Sequence, residues 1–347
     1  IIIQLVITSL QYIAGGTILH ALLPDIFSVT SGMLTSAVVF IGITFIGGMW
    51  SASLSNILNV LLIYIGIIAA TVASVMQAGG IDKIVSKLPP SVPYTSLTDG
   101  VGPLGIFGWI LVLVTVNISL QSIIQISLGA KNVETAQRGF IIGGLMMLPI
   151  GFVCALMGVI AKASFPSVAA ASALPLVIMS LNPVLSGITL AALWAADVST
   201  ACNLLLSSAT LFSRDIYKQF VNPTATDQRL LLVTKSSVLL LGAMTLALAM
   251  TVSGIIQTLM VGLSLTAAFS VVVLFTLFAP GLCRKNSAFY TILAGLITLI
   301  AWQTVPAIRL FPHVIYMEWA VCTGVFLLMY LLDSAPLKSA TQAVETN

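Results

Sequence analysis

Charged side chains are scarce in this 347-residue sequence, where Asp, Glu, Lys and Arg make up only 7% of the residues. Soluble domains carry about 25%. Three stretches, 26–81, 100–130 and 236–283, contain none of these four residue types. Because a membrane-spanning helix needs about 20 predominantly apolar residues, each stretch has room for at least one span. The scarcity excludes an ordinary soluble domain and predicts an all-α polytopic membrane protein.

Residues that commonly support catalysis or bind metals are also few. The four cysteines stand singly and form no CxxC or Cys/His cluster, which is typical of apolar packing residues. The two histidines, His20 and His313, have no partner in sequence, and no HExxH or GxSxG motif occurs. We therefore do not expect an enzyme. A net charge of +3 is too small to indicate nucleic acid as a partner.

Hydropathy predicts about ten transmembrane helices. They cover residues 1–23, 27–47, 53–76, 104–128, 140–163, 185–212, 230–252, 255–278, 288–305 and 314–332. The segment 167–183 is apolar but short, and Pro166 and Pro183 bound it. At that length a re-entrant or lid helix is expected rather than a span.

Basic residues divide unevenly between alternate loops. If the loop 214–229 is cytoplasmic, the inner side carries Lys131, Arg138, Arg214, Lys218, Arg229, Lys235, Arg284, Lys285 and Lys338. The outer side carries only Lys83, Lys87, Lys162 and Arg309. Because positive charge favours the cytoplasmic side, we expect a cytoplasmic C-terminus. The lipid partner would be a bacterial or archaeal plasma membrane, which the chain crosses many times.

One predicted span carries oxygen-bearing side chains at mid-membrane depth. Residues 190–220 read LAALWAADVSTACNLLLSSATLFSRDIYKQF and place Asp197, Ser199, Thr200 and Asn203 near the centre of the helix. Polar groups at this depth are costly and usually mark the path of an ion or a substrate. The pattern therefore predicts half of a cation site. The alternative is that Ser199 and Thr200 only hydrogen-bond to carbonyls one turn earlier.

Two acids fall within the predicted spans. Asp197 is the only acid deep in the bundle, where it can ligate a cation, carry a proton or face a cationic group of a substrate. The alternative is a protonated acid that bonds to a neighbour. Glu318 falls near the outer end of the last span and is predicted to lie at the membrane interface.

The stretch 190–220 resembles the eighth core helix of the sodium/solute symporter family, which reads Ala-Ala-x-x-Ser-Ser/Thr and, further on, Asp-Ile/Leu-Tyr-Lys. Three other parts of the sequence agree in order and spacing: Gly47-Gly48 with 55–59, 121–131 with 136–139, and 11–22. Together they extend the resemblance over nearly all of 1–332.

The resemblance implies the leucine-transporter fold, in which two inverted five-helix repeats hold substrate and sodium mid-membrane at their interface. On this alignment 1–23 corresponds to the third core helix, so a partial fold is expected. We therefore expect residues 1–333 to form a single transmembrane transporter domain that lacks its first helices. Residues 334–347 would form a cytoplasmic tail.

The resemblance also implies a sodium site. Its ligands are the backbone carbonyl of Ala196 and the hydroxyls of Ser199 and Thr200, because neutral oxygens suit a hard cation. The family often has an acid and a second cation where this sequence has Asn56, which would face Asn203. A second sodium ion is therefore not expected, and the two amides are predicted to form a helix-packing pair.

The sixth core helix is interrupted in this family and lines the substrate site, so Asn117, Ser119 and Gln121 are predicted to bind substrate. Alternate residues cannot share one helical face, so either the helix unwinds or some of these groups pack elsewhere. No Gly or Pro between 108 and 129 marks a break. Sugar-carrying members place asparagine at Leu120 and lysine at Met147, which disfavours a sugar.

The resemblance implies a secondary active transporter. We expect sodium-coupled symport of a small polar or anionic organic solute, such as an amino acid, a monocarboxylate or a vitamin-like acid, by alternating access. The alternatives are a transport-inactive solute sensor of the same fold and a proton-coupled symporter that uses Asp197. The sequence leaves the solute, the stoichiometry and the oligomeric state open.

Overall fold

The computed structural model describes residues 1–94, 96, 98–251 and 262–333, without the side chains of 48–58, and its regular structure in this part is helical. In chain order the helices are α1 (Ile2–Leu22), α2 (Val29–Gln77), α3 (Ile81–Ser86), α4 (Pro103–Ser119), α5 (Gln121–Leu128), α6 (Val133–Ser164), α7 (Ala170–Met179), α8 (Pro183–Leu211), α9 (Asp227–Ala249), α10 (Thr266–Phe278), α11 (Ser287–Thr304) and α12 (Ile315–Leu332). Helices satisfy their backbone hydrogen bonds internally, as a lipid environment requires. The predicted all-α fold is confirmed.

Eight helical segments of the described part are long and apolar enough to cross a membrane, and a ninth results if the bent pair α4 and α5 counts as one span. Two of the eight, Val29–Gly47 and Asn59–Gln77, lie within α2. The predicted span 255–278 includes residues 255–261, which lie outside the described residues. The number of spans therefore agrees with the expected number as far as the described residues allow.

Helix α2 is too long for a single crossing. A straight helix of 49 residues would measure about 74 Å, whereas the hydrocarbon core of a bilayer is about 30 Å thick. Four contacts with α8 give the direction of each half: Ser36–Trp194, Phe40–Cys202, Asn59–Ala195 and Gly66–Thr189. The first half runs in the direction of α8 and the second half runs against it. The two predicted spans, 27–47 and 53–76, therefore pass along α8 in opposite directions.

The chain divides into two compact units. Unit 1 comprises Ile1–Leu97 and Ser127–Ile255, and unit 2 comprises Thr98–Ile126 and Ile256–Asn347. Unit 1 thus contains α1–α3 and α6–α9, and unit 2 contains α4, most of α5 and α10–α12. That residues 1–333 act as one transporter domain stays a prediction.

Two glycines in unit 1 let the backbones of α1 and the first half of α2 touch. A Cβ atom on Gly16 would lie 2.8 Å from both the Val29 carbonyl oxygen and the Met33 nitrogen. A Cβ atom on Gly32 would lie 2.7 Å from the Gly16 carbonyl oxygen. Backbone atoms cannot rotate away as a side chain can, so this crossing has no space for a methyl group.

A buried amide side chain joins α1 to α8. Gln4 Nε2 donates to Ser207 Oγ at 3.0 Å, and Ser208 Oγ donates to Gln4 Oε1 at 2.6 Å. All three side chains are buried. Both ends of the amide therefore have partners, as buried polar groups generally do.

Helix α7 covers the ends of its neighbours in unit 1 and packs against α1, α6 and α8. Ser186 Oγ donates to the Ile178 carbonyl at 2.6 Å, and Gln77 Nε2 donates to the Ser180 carbonyl at 2.9 Å. With 10 residues, α7 is too short to span a bilayer. This geometry fits the lid helix expected between Pro166 and Pro183.

The core of unit 2 lies between α10, α11 and α12. Cys322 and Phe326 are fully buried there against Ala268 and Val271. The Phe326 ring stacks on Phe275 with 4.5 Å between ring centroids. Small and aromatic side chains thus interdigitate over the whole length of the interface.

Glu318 lies in the first turn of α12, near the end of the span where the sequence placed it, but its exposure is 0%. The expectation of an interfacial carboxyl group is therefore wrong. The reason is tertiary, because the face of α12 that carries Ile315, Glu318 and Cys322 is buried.

Gly16→Ala should lower the melting temperature of the detergent-solubilised protein. The added methyl group meets backbone atoms, and overpacking of this kind costs about 1–3 kcal/mol. The matched control is Gly42→Ala in α2, where a Cβ atom meets nothing within 4 Å and the gain in helix propensity should leave the melting temperature unchanged or raised. Equal melting temperatures for both variants would contradict the close crossing.

Candidate functional site

Two of the predicted sodium ligands are adjacent in the middle of α8. Ser199 Oγ donates to the Ala196 carbonyl oxygen at 2.9 Å. Oxygen ligands lie about 2.3–2.6 Å from calcium, a cation of nearly the same radius as sodium, so two oxygens at this separation can bind one ion together. The same bond is the back-bond to a carbonyl one turn earlier that the sequence allowed as an alternative. The geometry is compatible with both interpretations.

Thr200, the third predicted ligand, is exposed in unit 1, whereas Ser199 and Ala196 are partly buried. Positions 196, 199 and 200 lie on one side of α8 because they are three and four residues apart. The three predicted ligands are therefore brought together on one face of one helix.

Asn59, in the second half of α2, fixes the backbone beside this face. Its Nδ2 atom donates to the Ala195 carbonyl oxygen at 3.2 Å. The sequence comparison included Asn59 in the motif 55–59 but assigned it no function. Since the bond holds the carbonyl next to Ala196, Asn59 is a positioning residue for the candidate site.

The predicted pair of Asn56 and Asn203 stays a prediction. Asn203 is partly buried on α8, but the side chain of Asn56 lies outside the described residues.

Asp197 lies between Ala196 and Ser199 in sequence, and its Oδ2 atom is buried. Among the described residues this oxygen has no hydrogen-bond partner. Asp197 forms no ion pair with any described residue. The ion pair found in that part of the structure joins Arg138 and Glu134 on the surface of α6. The Oδ2 atom is thus buried without a compensating charge from described side chains, in a residue that is otherwise partly exposed.

An aromatic cluster packs against α8 about one turn before the candidate site. The Phe40 ring lies 5.7 Å from Tyr12 and 5.8 Å from Trp194, measured between ring centroids. Trp194 Nε1 donates to Ser36 Oγ at 3.1 Å. This cluster joins α1, the first half of α2 and α8 at the level of the site.

In unit 2, the helix predicted to line the substrate site is broken. Helix α4 ends at Ser119, Leu120 adopts an extended conformation with φ −71° and ψ 121°, and α5 begins at Gln121. The two helices differ in direction by 50°. The sequence left unwinding and packing elsewhere as alternatives, and the structure shows the break although no glycine or proline marks it.

Ser119 forms part of a buried polar cluster between α4 and α10. Its hydroxyl donates to the Thr266 carbonyl at 3.2 Å and accepts from Ser270 Oγ at 3.0 Å. Ser270 also contacts the Thr115 carbonyl at 2.7 Å, and Trp319 Nε1 donates to Thr115 Oγ1 at 2.9 Å. Ser119 therefore contributes to packing within unit 2.

The other two predicted substrate residues flank the same break. Asn117 is exposed, and its Nδ2 atom donates to the Leu113 carbonyl at 2.8 Å. Gln121 is partly buried at the first position of α5. The three residues are thus close in sequence to the break but differ in environment.

The sequence as a whole matches the profile of the family described as "Sodium:solute symporter family", over residues 1–311. The chain belongs to the sodium:solute symporter family. The family consists of transporters, so the expectation that the chain is not an enzyme is supported at that level.

Relatives within the sodium:solute symporter family are similar at modest identity. A sodium/glucose cotransporter of Vibrio parahaemolyticus is 29% identical over 67% of this chain and 48% of its own length. A sodium/proline symporter of Haemophilus influenzae is 27% identical over 85% of this chain and 62% of its own length. The chain thus spans about half to three fifths of these relatives.

A solved structure of a Na⁺-coupled sialic acid symporter in a substrate-bound outward-open state has the same fold. It superposes with a TM-score of 0.78 at 17% sequence identity, covering 97% of this chain and 74% of that one. This likeness concerns the fold alone, and it confirms a leucine-transporter-type fold for this member of the sodium:solute symporter family.

Ser270→Ala should destabilise the protein by about 0.5–1.5 kcal/mol, because it removes the buried hydrogen bonds of Ser270 with the Ser119 hydroxyl and the Thr115 carbonyl. Thr304→Val is the control, since the Thr304 hydroxyl is exposed and bonds only within its own helix, to the Ile300 and Ala301 carbonyls. Thermal unfolding of the purified protein is the measurement. If Thr304→Val lowered the stability of the protein as much as Ser270→Ala, the proposed stabilising role of the buried cluster would be contradicted.

Proposed function

We propose that this protein couples the inward movement of sodium to the uptake of a small polar or anionic organic solute by alternating access. The observation that carries the proposal is the oxygen pair of Ala196 and Ser199, 2.9 Å apart in the middle of α8, in a member of the sodium:solute symporter family. Relatives named for sodium-coupled transport of proline, pantothenate and glucose support sodium as the coupling ion.

The proposed sodium ligands are the Ala196 carbonyl oxygen and the hydroxyls of Ser199 and Thr200. All three are neutral, so an occupied site would carry the charge of the ion itself. Asn59 holds the neighbouring Ala195 carbonyl, which limits how far the second half of α2 can move from this turn of α8. A sodium ion would replace the bond between Ser199 and Ala196 with two ion contacts, at little cost in rearrangement.

We assign the solute to the break between α4 and α5. The break interrupts the regular helix at Leu120, although the Leu120 amide still donates to the Val116 carbonyl and its carbonyl still accepts from Ile123 and Ile124. Backbone groups at such breaks bind substrate polar atoms in transporters of this type. Asn117, Ser119 and Gln121 add neutral amides and a hydroxyl. This set of donors and acceptors fits a small polar or anionic solute.

Sodium drives the cycle only if it binds one arrangement of the protein more tightly than the other. A tenfold difference in sodium affinity shifts the equilibrium by about 1.4 kcal/mol. In the proposed cycle, sodium favours the outward-open arrangement, solute then binds, and the loaded protein converts to the inward-open arrangement. The ion and the solute leave on the inner side.

Ser199→Ala should raise the sodium concentration for half-maximal uptake by about tenfold or more, because it removes one ligand oxygen. Uptake of radiolabelled proline and pantothenate into proteoliposomes of the full-length protein, titrated with sodium, is the measurement. Thr210→Val is the matched control, since Thr210 bonds back to the Leu206 carbonyl at 2.8 Å on the same helix but lies almost three turns further along.

An unchanged sodium response in Ser199→Ala would contradict the assigned ligands. Uptake that follows a pH gradient without sodium and is lost in Asp197→Asn would identify the proton-coupled alternative. Binding of labelled solute without accumulation under any gradient would identify the transport-inactive sensor.

Gln121→Ala should raise the KM for the transported solute by about tenfold, equivalent to about 1.4 kcal/mol, with a smaller change in the maximal rate. The reason is the loss of one hydrogen bond to the solute. Gln137→Ala on α6 is the control, since Gln137 is an exposed residue of unit 1. An equal KM in both variants would remove Gln121 from the proposed substrate site.

A further inference from the structure

Unit 2 contains a carboxyl group that the proposed transport cycle does not use. Glu318, in the first turn of α12, has an exposure of 0%. It lies beyond residues 1–311, over which the family profile matches. Its role must therefore be inferred from its own surroundings.

One hydrogen bond reaches this carboxyl group. Ser264 Oγ donates to Glu318 Oε1 at 3.4 Å. The other oxygen, Oε2, is buried and has no hydrogen-bond partner within residues 1–94, 96, 98–251 and 262–333. Oε1 therefore accepts a hydrogen bond, whereas Oε2 has no hydrogen-bond partner among the described residues.

Within the described residues, the helices that pack closely against α12 bring no charge to it. These are α4, α10 and α11, and none contains Asp, Glu, Lys, Arg, His or Cys. Their single titratable residue, Tyr290 of α11, is exposed.

Helix α12 itself carries three other titratable side chains, Tyr316, Cys322 and Tyr330. Tyr316 donates to the Leu104 carbonyl, and Cys322 lies one turn further along α12. Tyr330 lies at the far end of the same helix, beside Arg284, whose guanidinium carbon lies 4.4 Å from the ring centroid. None of the three supplies a positive charge to Glu318.

His313 precedes α12 and is the nearest base in sequence. Burial lowers its pKa, so the imidazole is neutral at neutral pH. Its Nδ1 atom accepts the Ile315 amide proton at 3.2 Å. This nitrogen is already occupied, and the ring carries no charge that could pair with a carboxylate.

We propose that Glu318 is a proton-binding site of unit 2, in which the carboxyl group holds a proton on Oε2 and accepts from Ser264 through Oε1. An ionised carboxylate buried without a partner charge costs far more than one unfilled hydrogen bond. The neutral acid also matches the unequal surroundings of the two oxygens. This site is separate from the sodium ligands assigned to unit 1 and does not depend on them.

The proposal predicts the sign of a pH effect on stability. The unfolded chain loses this proton above a pH of about 4.3, whereas the folded chain keeps it to higher pH. Folding therefore binds a proton in this range, and stability falls as pH rises. Relative to Glu318→Gln, the unfolding equilibrium constant of the wild type should therefore rise about tenfold per pH unit, until the folded carboxyl group ionises.

The decisive experiment is infrared spectroscopy of the full-length protein in lipid at neutral pH. A protonated carboxyl group gives a C=O stretching band well separated from that of a carboxylate. We expect such a band in the wild type, shifted when glutamate is labelled with ¹³C and absent from Glu318→Gln. Glu134, an exposed residue paired with Arg138, should contribute only a carboxylate band.

Asp197→Asn is the control, because the Oδ2 atom of Asp197 is also buried without a hydrogen-bond partner among the described residues, whereas an aspartate band is not shifted by glutamate labelling. The band assigned to Glu318 should persist in this variant. A wild type without a ¹³C-glutamate-sensitive acid band at neutral pH would overturn the proposal. Because this measurement uses the wild type alone, it tests the proposal even if Glu318→Gln fails to fold.

Discussion

A lipid bilayer offers polar groups no water, so the polar groups on α8 need hydrogen-bond partners within α8 or on neighbouring helices. Gln4 of α1 binds two serines of α8, and Asn59 of α2 binds the Ala195 carbonyl. These bonds fix α8 laterally and in register. The position of the Ala196 and Ser199 oxygens relative to α1 and α2 depends on that register.

Unit 2 meets the same constraint by a different route. Its broken helix ends at Ser119 without a glycine or proline, and the hydroxyl of Ser270 binds groups on both sides of the last turn of α4. A partner helix thus supplies hydrogen bonds to the last turn of α4, directly before the break. Tertiary contacts can therefore place an interruption where the local sequence contains no helix breaker.

Local patterns in the sequence predicted the spans, the short helix α7 and the hydroxyl pair on α8, because each depends on residues close together in the chain. The break at Leu120 was left open as one of two alternatives, and Glu318 was expected at the membrane interface but is buried in protein. Both features depend on contacts with distant helices. The role of Asn59 was missed for the same reason. Its only local signal was membership of the motif 55–59.

The two passes of α2 also determine which parts of the chain share a compartment. Because the halves run in opposite directions along α8, Ser28 and Ala78 at the two ends of α2 emerge at the same face of the membrane. Asn182, where α8 begins, lies at that face too. An impermeant reagent applied to that face alone would reach all three positions, and one applied to the opposite face would reach none of them.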